Sequence, residues 1–155
     1  MTTIIVGIGN PILGDDGVGI HAARKLKEVL KDRDIVIEEA YTGGMNLLDI
    51  IVGYDRAVLV DAVSVDDLGI GEVIVLEDAG AMSSAHSANP HDVSFPEALE
   101  VARKMGEKRI PEEIVLVGIN IRTSLDFNDE LSVEVEESVS VALEVIKEML
   151  EELNE

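Results

Sequence analysis

The chain contains no cysteine, which excludes a disulfide framework, a thiolate metal site and a cysteine nucleophile. That absence fits a reducing compartment, and the cytoplasm is the expected location. Tryptophan is missing too, and aromatic residues make up only 3% of the chain, a composition compatible with thermophilic preferences when Glu, Val and Ile are plentiful. No run approaches the roughly 20 apolar residues of a membrane span, and Met1-Thr2-Thr3 leads into an apolar segment without a basic stretch before it. A soluble, unexported protein is therefore expected. Basic residues are scarce: 12 Lys and Arg stand against 32 Asp and Glu, for a formal net charge of -20. Nucleic acid and an anionic membrane would be repelled, whereas cations and basic partners are favoured. Many of the acids, among them Glu136, Glu137, Glu144, Glu148, Glu151 and Glu152, fall on the solvated face of a C-terminal helix and serve solubility.

What is present is a regular alternation of apolar runs and amphipathic stretches over 155 residues, enough for one domain, 1–155, that buries roughly two thirds of its unfolded surface. "TTIIVGIG" from Thr2, "DIVIEEA", "RAVLVDAV", "GEVIVLED" and "EEIVLVGINI" read as strands, the first and third of the type buried on both faces of a parallel sheet. Val18, Ala22, Leu26, Val29 and Leu30 recur at helical spacing. "GGMNLLDIIVGY" gives a short second helix. Ser94-Phe95-Pro96-Glu97 carries the signature of a capped helix start, with that helix running to about Met105. From Ser132 the series Val135, Val139, Ala142, Leu143, Ile146, Leu150 and Leu153 marks a long terminal helix. The segment Ser64 to Gly71 is too short for a helix and predicts a turn or hairpin into the fourth strand. The expected fold is a three-layer α/β/α sandwich around a five-stranded, mostly parallel twisted sheet, with the fourth strand a candidate for antiparallel pairing.

In such sheets ligands bind beyond the carboxyl ends of the strands. The polar residues placed there are Asn10, Asp15 and Asp16 after strand one, Thr42 after strand two, Asp61 closing strand three, His86 and His91 after strand four, and Asn120 near the end of strand five. The glycine-rich stretch "GIGNPILGDDGVG", Gly7 to Gly19, first suggests a dinucleotide turn, with Glu38 or Glu39 as the ribose acid. Its third glycine is replaced by Ile12, however, and two carboxylates would face the pyrophosphate. A nucleotide-binding regulatory domain is thus the lesser reading. Serine chemistry lacks a G-x-S-x-G elbow around Ser83, Ser84 or Ser87, and the D-T/S-G signature of an aspartic-protease dyad is also absent.

A single Asp before a helix is usually a cap. One cap does not require two aspartates, so the Asp15-Asp16 pair needs a second explanation. Asp61 interrupts an apolar run, where a carboxylate costs several kcal/mol unless hydrogen-bonded or matched by a cation. Two carboxylates and an imidazole on three strand-end loops make a divalent metal site with open positions; carboxylates suit hard ions and imidazole admits Zn, Ni, Fe or Co. Asp61 lies 45 residues after Asp16 and His91 a further 30 on, so only the fold can assemble them. Periodicity leaves His86 and His91 as rivals.

"GIGNPILGDDGVG", "TGGMNLLDII", "VLVDAV", "NPHDVSFPEAL" and "IVLVGINI", in this order, resemble the [NiFe]-hydrogenase maturation endopeptidases over nearly the whole chain. The opening G-x-G-N-x-x-x-x-D-D/E-G-x-G is the most specific part. The resemblance implies a cytoplasmic, aspartic-type, nickel-dependent protease that trims a C-terminal peptide from the precursor of a hydrogenase large subunit after nickel insertion. It implies that Asp16, Asp61 and His91 bind the nickel carried by that precursor, with other divalent metals possible at the same site, and that Asp16 and Asp61 serve catalysis. It also selects His91 over His86 and leaves Asp15 as the helix-start or supporting acid. Asp16 stands where other members have Glu, keeping the ligand type with a shorter reach. Many members carry proline and a further polar residue after the strand-five glycine, where this chain has Gly118-Ile119-Asn120-Ile121. That difference bears on which hydrogenase is matched. A nickel-binding assembly chaperone without proteolysis would share the same three ligands.

Overall fold

The computed structural model describes residues 1–41, 45–77, 86–87, 95–122 and 127–152. In chain order these form β1 (Thr3–Ile8), a 3-10 turn (Gly14–Gly17), α1 (Val18–Val29), β2 (Ile35–Ala40), α2 (Met45–Ile51), β3 (Arg56–Ser64), β4 (Val73–Leu76), β5 (His86–Ser87), α3 (Phe95–Lys104), β6 (Glu113–Asn120) and α4 (Val133–Glu152). The expected α/β/α architecture is present. Ser94, expected to cap α3, lies outside the described residues. Among the described residues no helix is long and apolar enough to cross a membrane.

The strands stand in the order β2-β1-β3-β6-β4. β2, β1, β3 and β6 run parallel, and β4 closes the edge antiparallel to β6. Because strand side chains alternate between faces, β1 and β3 bury both. Ile5, Val58 and Val60 pack with Val18, Ala22 and Leu26 of α1 and with Val139 and Ile146 of α4. Ile4, Val6, Ala57 and Leu59 pack on the opposite face with Leu47 and Ile51 of α2 and Leu99 and Ala102 of α3. The unbroken apolar runs of β1 and β3 follow from this two-sided burial.

β1 leads outward through α1 to β2 on one side, whereas β2 leads back through α2 to β3 on the other. The chain therefore reverses its direction of travel between β1 and β3, and a crevice opens at such a point, at the carboxyl ends of the strands.

Two details depart from the expected sheet. The fourth strand does not form a hairpin with β3, because β6 lies between them and Val73 to Leu76 pair with Ile119 to Leu116. The sheet also gains a sixth member, β5, whose His86 and Ser87 pair antiparallel with Ser64 and Val63. The cause is one of length. β3 outruns β1, whose ladder stops at Gly7 opposite Val60, and its exposed edge is then taken up by His86 and Ser87.

Asn120 ties down the connection to β4. Its side-chain Oδ1 accepts the Val65 N–H at 2.8 Å, and Nδ2 donates to the carbonyls of Leu68 at 3.0 Å and Gly69 at 3.1 Å. It is 2% exposed. Asn120→Ala leaves these three groups unmatched and is expected to destabilise the fold by about 2–3 kcal/mol, read as a lower urea midpoint with an unchanged m-value.

Candidate functional site

The Gly7–Gly19 stretch folds as a tight wrap of chain on chain. Gly9 has φ of +151°, and a Cβ there would strike the Asp16 carbonyl oxygen; a Cβ on Gly19 would strike the carbonyl oxygens of both Ile8 and Val60. These glycines let the turn and the start of α1 press directly onto β1 and β3.

The wrap also consumes the N–H groups that a phosphate would need. Gly9 donates to the Ala40 carbonyl, Leu13 to Asn10, Gly14 to Asn128 and Asp16 to Leu13. The Ile12 N–H goes to the Asn10 side chain at 3.1 Å and the Asn10 N–H to Asp16 Oδ2 at 3.1 Å. Pro11 has no N–H to offer. A phosphate cradle consists of converging free N–H groups, and in residues 9 to 14 none remains.

The ribose acid is equally committed. Glu39, at the end of β2, accepts from Arg24 Nε at 3.2 Å, Lys27 Nζ at 3.1 Å and the Tyr41 hydroxyl at 3.1 Å. Burial pushes its carboxyl upward, but the hydrogen bonds from Arg24, Lys27 and Tyr41 outweigh that and hold it below the ordinary value.

The two neighbouring aspartates diverge. Asp15 reaches toward α4, accepting the Ser132 N–H at 2.7 Å and the Ser132 hydroxyl at 2.8 Å. It does not cap its own helix: neither the 3-10 turn nor α1 has a side-chain cap. Asp16 turns back under the loop to Asn10 and is 9% exposed.

Asp61 occupies a break in the sheet. Along the edge of β3 that faces β1, the β1 ladder ends at Val60 and the β5 ladder begins at Val63, leaving Asp61 and Ala62 between them. On its other edge Asp61 is in register with Gly118 of β6. The 3-10 turn carrying Asp16 packs against β3. Asp61, expected to close its strand, instead lies within β3, three residues before its end and just past the last residue paired with β1, because β3 continues along β6. Asp16 comes from the turn after β1, so the two acids are supplied by the two strands that flank the reversal point.

Of the remaining expected residues, His91 and Thr42 lie outside the described residues. His86 enters β5 opposite Ser64, three positions beyond Asp61. Asn120, also at this end of the sheet, is occupied by the β4 connection. Among the described residues no three His, Cys, Asp or Glu side chains are grouped to hold an ion, so the expected triad depends on its His91 member. Carboxylates supplied by two separate strands fit the oxygen part of such a donor set. Sequence reasoning missed Asn128 altogether and saw Ser132 only as a helix start; both brace the aspartate turn. The one available cue was Ser132 placed immediately before the apolar periodicity of α4.

A family model described as HycI, hydrogenase maturation protease, matches residues 20–149, a span that includes the positions of Asp61 and His91 and begins just after the glycine turn. The hydrogenase 2 maturation protease of Escherichia coli K12 is 28% identical over 155 residues, covering 98% of this chain and 92% of its own. The solved hydrogenase maturating endopeptidase HybD from Escherichia coli superposes with a TM-score of 0.78 at 26% identity, over 98% of this chain and 93% of that one. The [NiFe] hydrogenase maturation protease HybD from Thermococcus kodakarensis gives a TM-score of 0.72 at 27% identity, over 96% and 99% of the two chains. The chain belongs to the hydrogenase maturation protease family and is a peptidase of hydrogenase maturation.

Proposed function

We propose that this protein removes a C-terminal peptide from the precursor of a [NiFe]-hydrogenase large subunit, in the cytoplasm, once nickel has been inserted, and that it recognises that nickel through Asp16, Asp61 and His91. The observation that carries the reading is the placement of Asp16 and Asp61 at the reversal point between β1 and β3, beside a turn with no free N–H in residues 9 to 14 for an anion. Carboxylates held there favour a cation, and the cation belongs to the substrate.

Nickel already bound in the precursor acts as the recognition element. Docking it on the two carboxylates and the imidazole holds the adjacent peptide bond in place, supplying the proximity that accelerates a slow amide hydrolysis. Water adds to the scissile carbonyl carbon, and the C–N bond then breaks as the amine leaves with a proton. Asp16 or Asp61 accepts the proton from the attacking water as general base.

The test is incubation of the cognate precursor, loaded with nickel or free of it, followed by intact mass. The loaded precursor loses a C-terminal peptide and the nickel-free precursor does not. Asp16→Asn, Asp61→Asn and His91→Gln each slow the loss by orders of magnitude. Cleavage at the parent rate by Asp61→Asn or by all three variants, or no cleavage of loaded precursor by the parent, overturns the reading. A precursor that binds in a nickel-dependent manner with unchanged mass identifies an assembly chaperone instead.

A further inference from the structure

The pairing of Asp15 with Asp16 is the feature that the proposed site leaves unexplained. Adjacent carboxylates repel each other, and the strand-end crevice already holds Asp61. Asp15 resolves this by leaving the crevice: both of its oxygens are engaged by Ser132, through the backbone N–H at 2.7 Å and the hydroxyl at 2.8 Å. Ser132 immediately precedes the 20-residue helix α4, so the carboxylate meets the positive end of a long helix, where negative charge is stabilised.

The same connection grips the turn at a second point. The Asn128 carbonyl accepts the Gly14 N–H at 2.6 Å, and the Asn128 N–H donates to the Ile12 carbonyl at 2.8 Å. Asn128 Oδ1 accepts the Glu130 N–H at 2.9 Å, fixing the curve of the brace itself. The chain on both sides of Gly14 is therefore held by a segment more than a hundred residues away, up to the residue before Asp16. α4 is in turn immobilised against α1 and the sheet by Val135, Val139 and Ile146, all buried.

We propose that Asp15 and Ser132 are positioning residues for the nickel-docking step: their two-point contact locks the 3-10 turn so that Asp16 is presented in one orientation. This rests on the proposed reading of the site. It predicts a defect confined to substrate that carries nickel, whereas a contact that only stabilises the fold would weaken every substrate alike.

The experiment uses the full chain and its cognate precursor with and without nickel. Affinity for both forms is measured by calorimetry, and kcat/KM for the loaded form by mass. Asp15→Ala should lower kcat/KM about 100-fold, the loss that follows a misplacement of about 1 Å. It should also erase the preference for loaded over nickel-free precursor while leaving nickel-free binding unchanged. Asp15→Asn keeps one accepting oxygen and should recover part of both. Should Asp15→Ala be too unstable to assay, Ser132→Ala carries the test, since it removes the hydroxyl contact and keeps the N–H contact; an intermediate, equally selective loss is expected. Parent-like preference and rate, or an equal loss for both precursor forms, overturns the proposal. Asp61→Asn run in parallel separates the two ideas. An inert Asp61→Asn beside an unimpaired Asp15→Ala refutes the positioning role alone, whereas an Asp61→Asn that retains parent preference and rate refutes the site and the positioning role together.

Discussion

Asp61→Asn is expected to yield a folded protein that cleaves the nickel-loaded precursor about a thousand-fold more slowly than the parent, the middle of the range for loss of a general base. The substitution replaces a carboxylate by an amide of nearly the same shape, so packing changes little while the charge and basicity disappear. The position is favourable for a clean result. Asp61 is only partly buried, and its backbone is held from both directions along β3, with Val60 paired to β1 and Val63 to β5. Unfolding free energy should stay within about 1 kcal/mol of the parent. Asp16→Asn is a less clean experiment, because Asp16 is 9% exposed and accepts the Asn10 N–H. An amide misoriented there would set donor against donor. The measurement for Asp61→Asn is the single-turnover rate together with a urea titration. A rate within a few-fold of the parent would remove Asp61 from the chemistry, and a collapsed urea midpoint would give it a structural role.

The elements whose identity depends on local chemistry could be read from the sequence. The two-sided apolar runs of β1 and β3, the spacing of Val18, Ala22 and Leu26, and the series from Val135 to Leu150 each state their own burial, and each formed where expected. Features that depend on distant partners could not be read. β5 exists because β3 outruns β1, a comparison of two strand lengths that leaves no mark on His86 or Ser87 themselves. β4 is antiparallel to a strand that comes later in the chain, so its short approach loop resembled a hairpin. At the site, the sequence indicated that one of two aspartates was surplus to capping, but the partner that separates them, Ser132, is 117 residues from Asp15. The assignment of Asp16 came from family likeness, and the geometry supplied the reason that Asp15 differs. Asn120 shows the converse: its place at the end of a strand suggested a ligand, and its three hydrogen bonds show a structural buttress.

Gly19→Ala should strongly destabilise the fold, and the sign of its effect opposes helix propensity. Gly19 is the second residue of α1, where alanine is ordinarily preferred to glycine by up to about 1 kcal/mol. Here the added Cβ would overlap two carbonyl oxygens, those of Ile8 and Val60, both parts of strand backbone, at the carboxyl end of β1 and the middle of β3. Neither oxygen can rotate aside as a side-chain tip could. Nor can α1 shift along its axis without penalty, since a Cβ on Gly7 would already meet the Gly19 carbonyl oxygen and the Ala23 Cβ, so strand and helix interlock at two glycines. Relief requires α1 to lift from the sheet, which opens the core formed with Ile5, Val18, Ala22 and Leu26. A loss above about 4 kcal/mol follows from combined overlap and unpacking, a large share of the roughly 5–15 kcal/mol by which a domain is stable. Insoluble or unfolded protein by circular dichroism is the expected readout. Gly53→Ala is the matched control: its φ of +93° strains alanine, but a Cβ there meets nothing within 4 Å, so a loss of about 1–2 kcal/mol and a folded protein are expected. Gly19 has ordinary helical backbone, so a folded Gly19→Ala protein losing no more than Gly53→Ala would show that α1 can shift away from the strands at little cost.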